Sequence, residues 1–246
     1  MKHSLKVAGI SLALCCASVV GATAATIDFT AYPVGAVSPV GRTDTITVGG
    51  DVITWTLTSD PSGQINYNQA YDGPTPSPAS AAGLALVNDG VGVRDDELTT
   101  SVKESIVETL VLTFDKAVKV TGFHFLDMFK PKNLADGNAA IDFNSDQVEK
   151  AGVSWAGGNI FFAAKEDDGV NGGYLFGDPN APDSGAGVTI YTTQLIFRAG
   201  PGNDGLGYAD FSLAAVELAP IPVPAGGILL LTALGGLGLA RRRKNC

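Results

Sequence analysis

The segment Thr43–Ser59, TDTITVGGDVITWTLTS, indicates the fold class. In its second half Ile53, Trp55 and Leu57 alternate with threonines, and an alternation with period two predicts a β-strand that has one buried face. A Gly-Gly-Asp turn at 49–51 precedes this strand, so the segment is predicted to form a β-hairpin. We expect Trp55 in the core because it shares a face with Ile53 and Leu57.

The same pattern of short apolar runs and turn residues continues to about Ala219. No window shows convincing helical periodicity, apart from one short turn near Ser145–Lys150. The predicted strands are Thr43–Val48, Val52–Ser59, Leu84–Asn88, Glu108–Phe114, Val118–Met128, Ala139–Phe143, Asn159–Ala164, Val188–Ala199 and Tyr208–Leu218.

Regularly spaced short strands predict one all-β body over residues 26–219, most simply a jelly-roll-like β-sandwich. An up-and-down barrel is the alternative. The Pro-rich stretch Asp72–Ala82 is predicted to be a mobile loop, and the Gly- and Asp-rich stretch Glu166–Gly187 holds one strand candidate at most.

Charge and cysteine are distributed unevenly along the 246 residues. Six of the 16 basic residues lie outside the body, which leaves ten basic groups against 25 acidic ones and a body charge of about −15. Nucleic acid is therefore excluded as a partner, because its binding requires a basic face. Cys15, Cys16 and Cys246 also lie outside the body, so the body has neither a disulfide nor a thiolate metal site.

Residues 1–25 have the pattern of a secretory signal peptide. Lys2 and Lys6 precede the apolar run Val7–Val20, and the small residues at 22–24 predict cleavage between Ala24 and Ala25. The chain is therefore expected to meet the secretion machinery and signal peptidase. An uncleaved membrane helix is the alternative, but the apolar run is shorter than the roughly 20 residues that span a bilayer.

The C-terminal segment has three parts in a fixed order. A Pro-rich stretch at 219–224, APIPVP, leads into the uncharged run Ala225–Ala240, and Arg241, Arg242, Arg243 and Lys244 follow. Sixteen helical residues cover about 24 Å, which predicts a marginal transmembrane helix. The basic end would stay cytoplasmic, which places the body on the opposite side of the membrane.

This tail closely resembles the PEP-CTERM sorting signal in its VPLPA-CTERM variant. The matching residues are Ile221, Pro222, Val223, Pro224 and Ala225, followed by GGILLLTALGGLGLA and RRRK. The resemblance implies recognition by an exosortase, an integral-membrane cysteine protease or transpeptidase of Gram-negative bacteria that make exopolysaccharide. It implies an inner-membrane anchor before processing, and then a place on the cell surface or in the extracellular matrix. A plain membrane anchor without processing is the alternative.

Most catalytic chemistries lack their residues in the body. His124 is the one histidine that remains after export, it lies in a predicted strand, and we expect it to be partly buried. No G-x-S-x-G elbow supports a Ser/His/acid triad, zinc lacks ligands, and no Gly-rich run ends in Gly-Lys-Ser/Thr. Paired carboxylates are abundant, so a carbohydrate-active hydrolase stays open as the enzymatic alternative.

Two acidic segments are candidate Ca²⁺ sites, because Ca²⁺ takes six to eight oxygen ligands. Asp95, Asp96 and Glu97 are adjacent, and in an extended strand Asp95 and Glu97 would share a face. The segment 167–178 approximates an EF-hand loop, with Asp167, Asn171 and Asp178 as ligands, but it has glycine at its third position and aspartate instead of glutamate at its last. The segment around Asp95, with ETLVLTF and YADFSLAAVEL, loosely resembles the bodies of many PEP-CTERM proteins.

One predicted loop combines aromatic and polar side chains. Tyr67, Asn68, Tyr71 and Asp72, together with Gln69, are the first candidates for a sugar-binding patch, because a pyranose has apolar C–H faces and polar edges. The alternative is that both tyrosines pack under the loop. We therefore predict a non-catalytic exported protein that binds exopolysaccharide or has a structural role in a biofilm.

Overall fold

The computed structural model describes residues 23–38, 40–60, 63–67, 69–95, 97–101, 106–130, 148–167, 171–183, 187–200 and 209–221. These residues form mainly antiparallel sheets with one α-helical turn and two 3₁₀ turns, so the all-β prediction is confirmed. The strands are β1 (Ala25–Asp28), β2 (Ala36–Ser38), β3 (Arg42–Val48), β4 (Asp51–Asp60), β5 (Ile65–Tyr67), β6 (Gly92–Val93), β7 (Thr100–Ser101), β8 (Ile106–Val107), β9 (Thr109–Leu126), β10 (Phe129–Lys130), β11 (Lys150–Trp155), β12 (Gly158–Ala163), β13 (Glu166–Asp167), β14 (Leu175–Gly177), β15 (Ile190–Ala199) and β16 (Ser212–Ala219).

The central element is β9, which organises the largest sheet. The strand order is β1-β16-β9-β15-β11-β12, and β4 with β3, as well as β14, also join at β9. One edge of β9 pairs with β4 and β16, while the other edge pairs with β15 and β14. A strand of 18 residues can accept this many partners because each covers only part of its length.

The hairpin predicted from the opening segment is confirmed. Strands β3 and β4 pair in register from Arg42 with Leu57 to Val48 with Asp51. Gly49 and Gly50 form the turn with φ of 60° and 94°, a region that glycine enters without steric cost. Trp55 is 2% exposed, as its alternation with buried neighbours predicted.

Strand β9 changes the face that it buries. Val120 is buried in the core, and two residues at 121–122 separate it from the next core residue, Phe123. The register with β16 shifts at the same place, between Glu217 and Leu218. Because of this irregularity Gly122 and His124 lie on the face opposite the main core.

Several predicted elements differ from the structure. Glu108–Phe114 and Val118–Met128 were predicted as two strands, but they form one strand that ends at Leu126, because residues 115–117 continue in extended form although they are exposed. The prediction of a strand at Leu84–Asn88 is wrong: backbone N–H groups there bond to Thr30 instead of to a strand.

The sequence pattern also missed or misplaced elements. β11 begins at Lys150, where the short helical turn was expected. The loop Asp72–Ala82 contains a helical turn, α1 (Pro78–Ala81), whose N-cap Ser77 forms a capping box with Ser80. Glu166–Gly187 contains two short strands, β13 and β14. The predicted strand Ala139–Phe143 lies outside the described residues.

Two apolar clusters lie on opposite faces of the sheet. The main core includes Phe123, Phe125, Phe162 and Phe197, whose ring centroids lie 5.9–6.2 Å apart in the observed pairs. The smaller cluster lies on the opposite face of the sheet, which we call the outer face. There, residues from the helical turn α1 and from the segments that flank the loop 72–82 cover Leu126 and Ala215. This loop leaves the neighbouring stretch of the outer face, around Phe176, partly open.

The first and last described residues meet at the β3–β4 turn. The N–H of Gly49 donates to the carbonyl of Thr23 at 3.1 Å, and a Cβ at Gly49 would stand 2.6 Å from Cγ of Pro220. No helix within the described ranges is long and apolar enough to cross a membrane. The predicted signal helix and transmembrane helix both lie in residues outside those ranges.

Candidate functional site

The most developed surface constellation lies on the outer face of β14, β9 and β16, and we call it the outer patch. It consists of Gly122, His124, Tyr174, Phe176 and Glu217. Phe176 stands opposite His124 across the β14–β9 pair, and Glu217 stands opposite Gly122 across the β16–β9 pair. Residues directly opposite each other in antiparallel strands point to the same face, which brings these side chains together.

His124 is buried at 2% exposure and connects two polar partners. Its Nδ1 lies 2.9 Å from the Tyr174 hydroxyl and its Nε2 lies 3.1 Å from Glu217 Oε1. A neutral imidazole satisfies both bonds, with Tyr174 O–H donating to Nδ1 and Nε2–H donating to Glu217. Burial lowers the pKa of His124, although the Glu217 carboxylate opposes this effect, so the ring is assigned as neutral at neutral pH. The prediction that His124 lies in a strand is confirmed, and its side chain is more deeply buried than predicted.

Phe176 supplies an open aromatic surface beside this pair. It is 41% exposed, and its ring centroid lies 5.1 Å from that of His124. A Cβ at Gly122 would stand 2.6 Å from Phe176 Cε2 and 2.9 Å from Glu217 Oε2. Glycine at this position therefore leaves the space in which the ring and the carboxylate lie next to each other.

The charges of the outer patch are held in defined states. Burial raises the pKa of Tyr174 to about 12, so its hydroxyl stays protonated and serves as a donor. The Glu217 side chain is 34% exposed, which leaves its carboxylate accessible to solvent. An open ring beside an accessible carboxylate matches the two requirements of a pyranose, an apolar surface for its C–H face and an acceptor for its hydroxyls.

A carboxylate cluster lies close by, where β9 ends. Oxygens of Asp72, Asp89 and Asp127 all lie within 4.8 Å of one another, and Asp89 and Asp127 are buried. Asp127 has a left-handed φ of 55°, and its N–H donates to the Gly172 carbonyl at 3.1 Å. Three carboxylates at this distance repel one another unless a proton or a cation is shared, and hard oxygen ligands suit Ca²⁺.

Glu149 and Asp210 form a second carboxyl contact, next to Phe129 just beyond the end of β9. Glu149 is 2% exposed, its Oε2 accepts a hydrogen bond from the Phe129 N–H at 2.6 Å, and its side chain is hydrogen-bonded to Asp210. Burial, followed by Asp210, raises the pKa of Glu149 to about 12. The carboxyl groups of glycosidases are about 5 Å or more apart, so a directly hydrogen-bonded pair does not have that geometry.

The predicted Asp95–Glu97 site does not have the expected backbone. Arg94, which has a φ of 71°, Asp95 and Glu97 lie in bends and not in a strand. The carbonyl of Glu97 accepts from the Val93 N–H at 2.9 Å, so Asp95 and Glu97 do not share the face of a strand. Asp96 lies outside the described residues. The strand geometry predicted here is wrong, and Ca²⁺ binding at these residues stays a prediction.

The EF-hand-like segment is divided among different elements. Asp167 pairs with Lys130 in the β10–β13 ladder, and Asn171 begins a single turn of 3₁₀ helix. Asp178 Oδ1 accepts from the N–H and the side-chain amide of Asn180, at 2.8 Å and 2.9 Å. Among the described residues the metal-compatible group is the Asp72 cluster instead, and Ca²⁺ binding at Asp178 stays a prediction.

The predicted sugar-binding loop is only partly exposed. Tyr67 is 1% exposed in β5 and packs against Tyr32 at 5.1 Å, so its assignment to a surface patch is wrong. Tyr71 is half-buried, and its hydroxyl bonds to Ser77 Oγ at 3.1 Å. Asp72 is exposed and belongs to the carboxylate cluster, while Asn68 lies outside the described residues.

The residues of the outer patch were missed because they are far apart in sequence. Phe176 and Glu217 meet only through the shared partner β9, and no local motif connects them. The available signal was the alternation in YLFGD, which turns Phe176 away from its buried neighbours Leu175 and Gly177. Trp155 is half-buried and packs against the main core.

At the two predicted processing sites, the structure describes only the residues next to the body. Ala25, predicted to follow the signal cleavage site, begins β1 and pairs with Leu218, while Ala24 precedes the strand. Ile221 is 43% exposed. Pro222, Val223, Pro224, Ala225, Arg241, Arg242 and Arg243 lie outside the described residues, so the sorting signal stays a prediction.

Comparisons with known proteins give little. No protein-family model matches the chain, and no curated protein matches it. A chain titled CpGH89CBM32-5, from Clostridium perfringens, in complex with GalNAc-beta-1,3-galactose, is similar at 12% identity and a TM-score of 0.27, over 68% of this chain and 95% of that one. A TM-score this low does not establish a shared fold, and the sugar of that complex is not assigned to this protein.

Proposed function

We propose that this chain is an exported, non-catalytic polysaccharide-binding protein of the surface or extracellular matrix of a Gram-negative bacterium. The observation that carries the proposal is the outer patch, where the open ring of Phe176 adjoins the Glu217 carboxylate above Gly122. The body takes the form of a jelly-roll-like sandwich in this proposal, and the partners of β9 along its length support that arrangement.

Binding is expected on the open surface of the outer patch rather than in the pocket beside the β3–β4 turn. The pocket lined by Val48, Ile53, Val118 and Pro220 has a volume of about 70 Å³. Sites that enclose a small molecule have volumes of roughly 300–1,000 Å³. A polymer laid across an open aromatic ring needs no such enclosure, because it forms a modest contact at each of several sugars.

The test is affinity electrophoresis of the full chain, in mild detergent, through gels that contain exopolysaccharide. We expect retardation, and we expect Phe176→Ala to weaken binding about tenfold, because it removes the ring that covers a sugar face. Tyr191→Ala is the matched control, since Tyr191 is a 50% exposed aromatic on the neighbouring strand β15. Equal retardation of the wild type and Phe176→Ala would contradict the proposed site.

Sorting is the second part of the proposal. The exosortase would recognise Pro222, Val223, Pro224 and Ala225, and the uncharged run would anchor the chain until processing. Tags on both sides of Pro224, followed in strains with and without the exosortase, test this part. An intact, doubly tagged chain in both strains would exclude processing and leave a plain anchor.

Calcium is the third part. The closeness of the Asp72, Asp89 and Asp127 oxygens supports the hypothesis that an exported body without disulfides uses Ca²⁺ to join its loops. The hydrolase alternative makes a different prediction. The chain would then bind exopolysaccharide and also shorten it, and the release of reducing ends would favour this alternative.

A further inference from the structure

The two carboxylate oxygens of Glu217 have different neighbours. Its Oε1 is held by His124 Nε2 at 3.1 Å, while Oε2 is the oxygen that lies above Gly122 beside the Phe176 ring. A carboxylate fixed on one side loses less conformational entropy when a ligand binds on the other. His124 is therefore a positioning residue for a charged group that adjoins an apolar ring.

Among the described residues, the only basic group within ion-pair distance of Glu217 is His124. His124 is assigned as neutral, because burial lowers its pKa. The basic residue nearest to Gly122 along β9 is Lys119. It lies three residues away, where its backbone stands opposite Tyr191 of β15 and Ala219 of β16. The Asp28 carboxylate also contributes negative charge near His124. Its oxygens accept hydrogen bonds from the N–H groups of Thr30 and Ala85, both at 2.9 Å.

The body as a whole also has a negative net charge. Ten basic residues stand against 25 acidic ones in residues 26–219. A polymer of uronic acids would bring further negative charge to Glu217, and like charges at close range oppose binding. An ammonium group on a sugar would be attracted by both the local carboxylate and the general field.

We infer that the outer patch recognises polysaccharides whose sugars carry free amino groups. The C–H face of such a sugar would cover Phe176, and its ammonium group would lie against Glu217 Oε2. This inference rests on the proposed function, because it assigns a ligand class to the same patch.

The experiment measures affinity of the full chain in mild detergent for three hexasaccharides at about pH 6, where amines are protonated and carboxylates ionised. The probes are a glucosamine hexamer, its N-acetylated form and a galacturonate hexamer. We expect the glucosamine hexamer to bind about threefold to fivefold more tightly than the acetylated form, the range of an exposed ion pair, and the galacturonate hexamer to bind least.

Three variants test which residue causes the preference for the glucosamine hexamer. Glu217→Gln should lose most of the preference for the glucosamine hexamer, because the amide keeps an acceptor for His124 but removes the local charge. Asp51→Asn, which makes the same charge change at the exposed β3–β4 turn, should keep the preference. Phe176→Ala should lose affinity for both probes.

Each contrary result overturns a separate statement. Equal binding of the two hexosamine probes by the wild type overturns the amino-sugar inference and leaves glycan binding standing. A preference that is undiminished in Glu217→Gln excludes Glu217 as its origin. Tightest binding of the galacturonate hexamer also overturns the inference. Binding of none of these probes, together with no retardation in exopolysaccharide gels, overturns the proposed function itself.

Discussion

Glu149 and Glu217 are the same residue type in opposite surroundings. Glu149 is 2% exposed and adjoins Asp210, and burial raises its pKa to about 12, so it is a neutral donor and acceptor inside the fold. Glu217 has a side chain that is 34% exposed and accepts from a buried histidine. Burial of the side chain, more than residue identity, separates a structural carboxyl group from one that can meet a ligand.

The largest effect should come from removing the buried member of this comparison. Glu149→Ala deletes the acceptor of the Phe129 N–H and leaves a cavity, and we expect a loss of about 3 kcal/mol in the free energy of unfolding. Urea denaturation measures this loss. Glu149→Gln is the control and should cost much less, because a neutral amide resembles the protonated carboxyl. A loss below about 1 kcal/mol in the alanine variant would show that Glu149 is not structural.

The second effect is a dependence of stability on pH. The pKa of Glu149 is raised in the folded state above its ordinary value of 4.5, so the folded chain keeps a proton that the unfolded chain releases. This stabilisation is complete below about pH 4.5 and is lost as pH rises. Between pH 5 and 7 the wild type should lose stability relative to Glu149→Gln by up to about 1.4 kcal/mol per pH unit. Parallel curves for the two proteins would contradict this assignment.

The third prediction extends the comparison to the Asp72, Asp89 and Asp127 carboxylates, which could bind a cation. At about 10 mM Ca²⁺, roughly ten times the dissociation constant of weak extracellular sites, the full chain should gain about 1.4 kcal/mol. Asp89→Asn should abolish the gain, which thermal unfolding measures, whereas Asp95→Asn should keep it. A gain lost in Asp178→Asn but kept in Asp89→Asn would move the site to the EF-hand-like segment.

The smallest effect concerns the space between Phe176 and Glu217. Gly122→Ala places a methyl group where both side chains come within 3 Å, so the ring and the carboxylate must separate. We expect glycan binding to weaken about threefold to fivefold, roughly 1 kcal/mol, as measured by affinity electrophoresis. Gly50→Ala is the control for a loss of stability outside the outer patch, because Gly50 has a φ of 94° and no atom beyond its chain neighbours within 4 Å of an added Cβ. Unchanged binding in Gly122→Ala would show that the ring and the carboxylate act independently.

Local patterns predicted the strands better than they predicted the site. The alternation at Ile53, Trp55 and Leu57 reports burial directly, because side chains on a strand alternate between faces. The meeting of His124, Phe176 and Glu217 depends on the register of β14 and β16 with β9, including a shift next to Glu217. A shift of one residue exchanges the two faces, and no sequence window of a single strand contains that information.

The exit of the chain at Pro220 has a mechanical consequence. Glu217 belongs to β16, the strand that continues to Pro220 and the predicted anchor. A pull between a bound polymer and that anchor would therefore run along one strand instead of crossing the core. Because β16 pairs with β1 on one side and β9 on the other, the load would act on its hydrogen bonds in shear, where many must break together. Under the proposed function, β16 would therefore carry load between the polymer and the C-terminal end of the body.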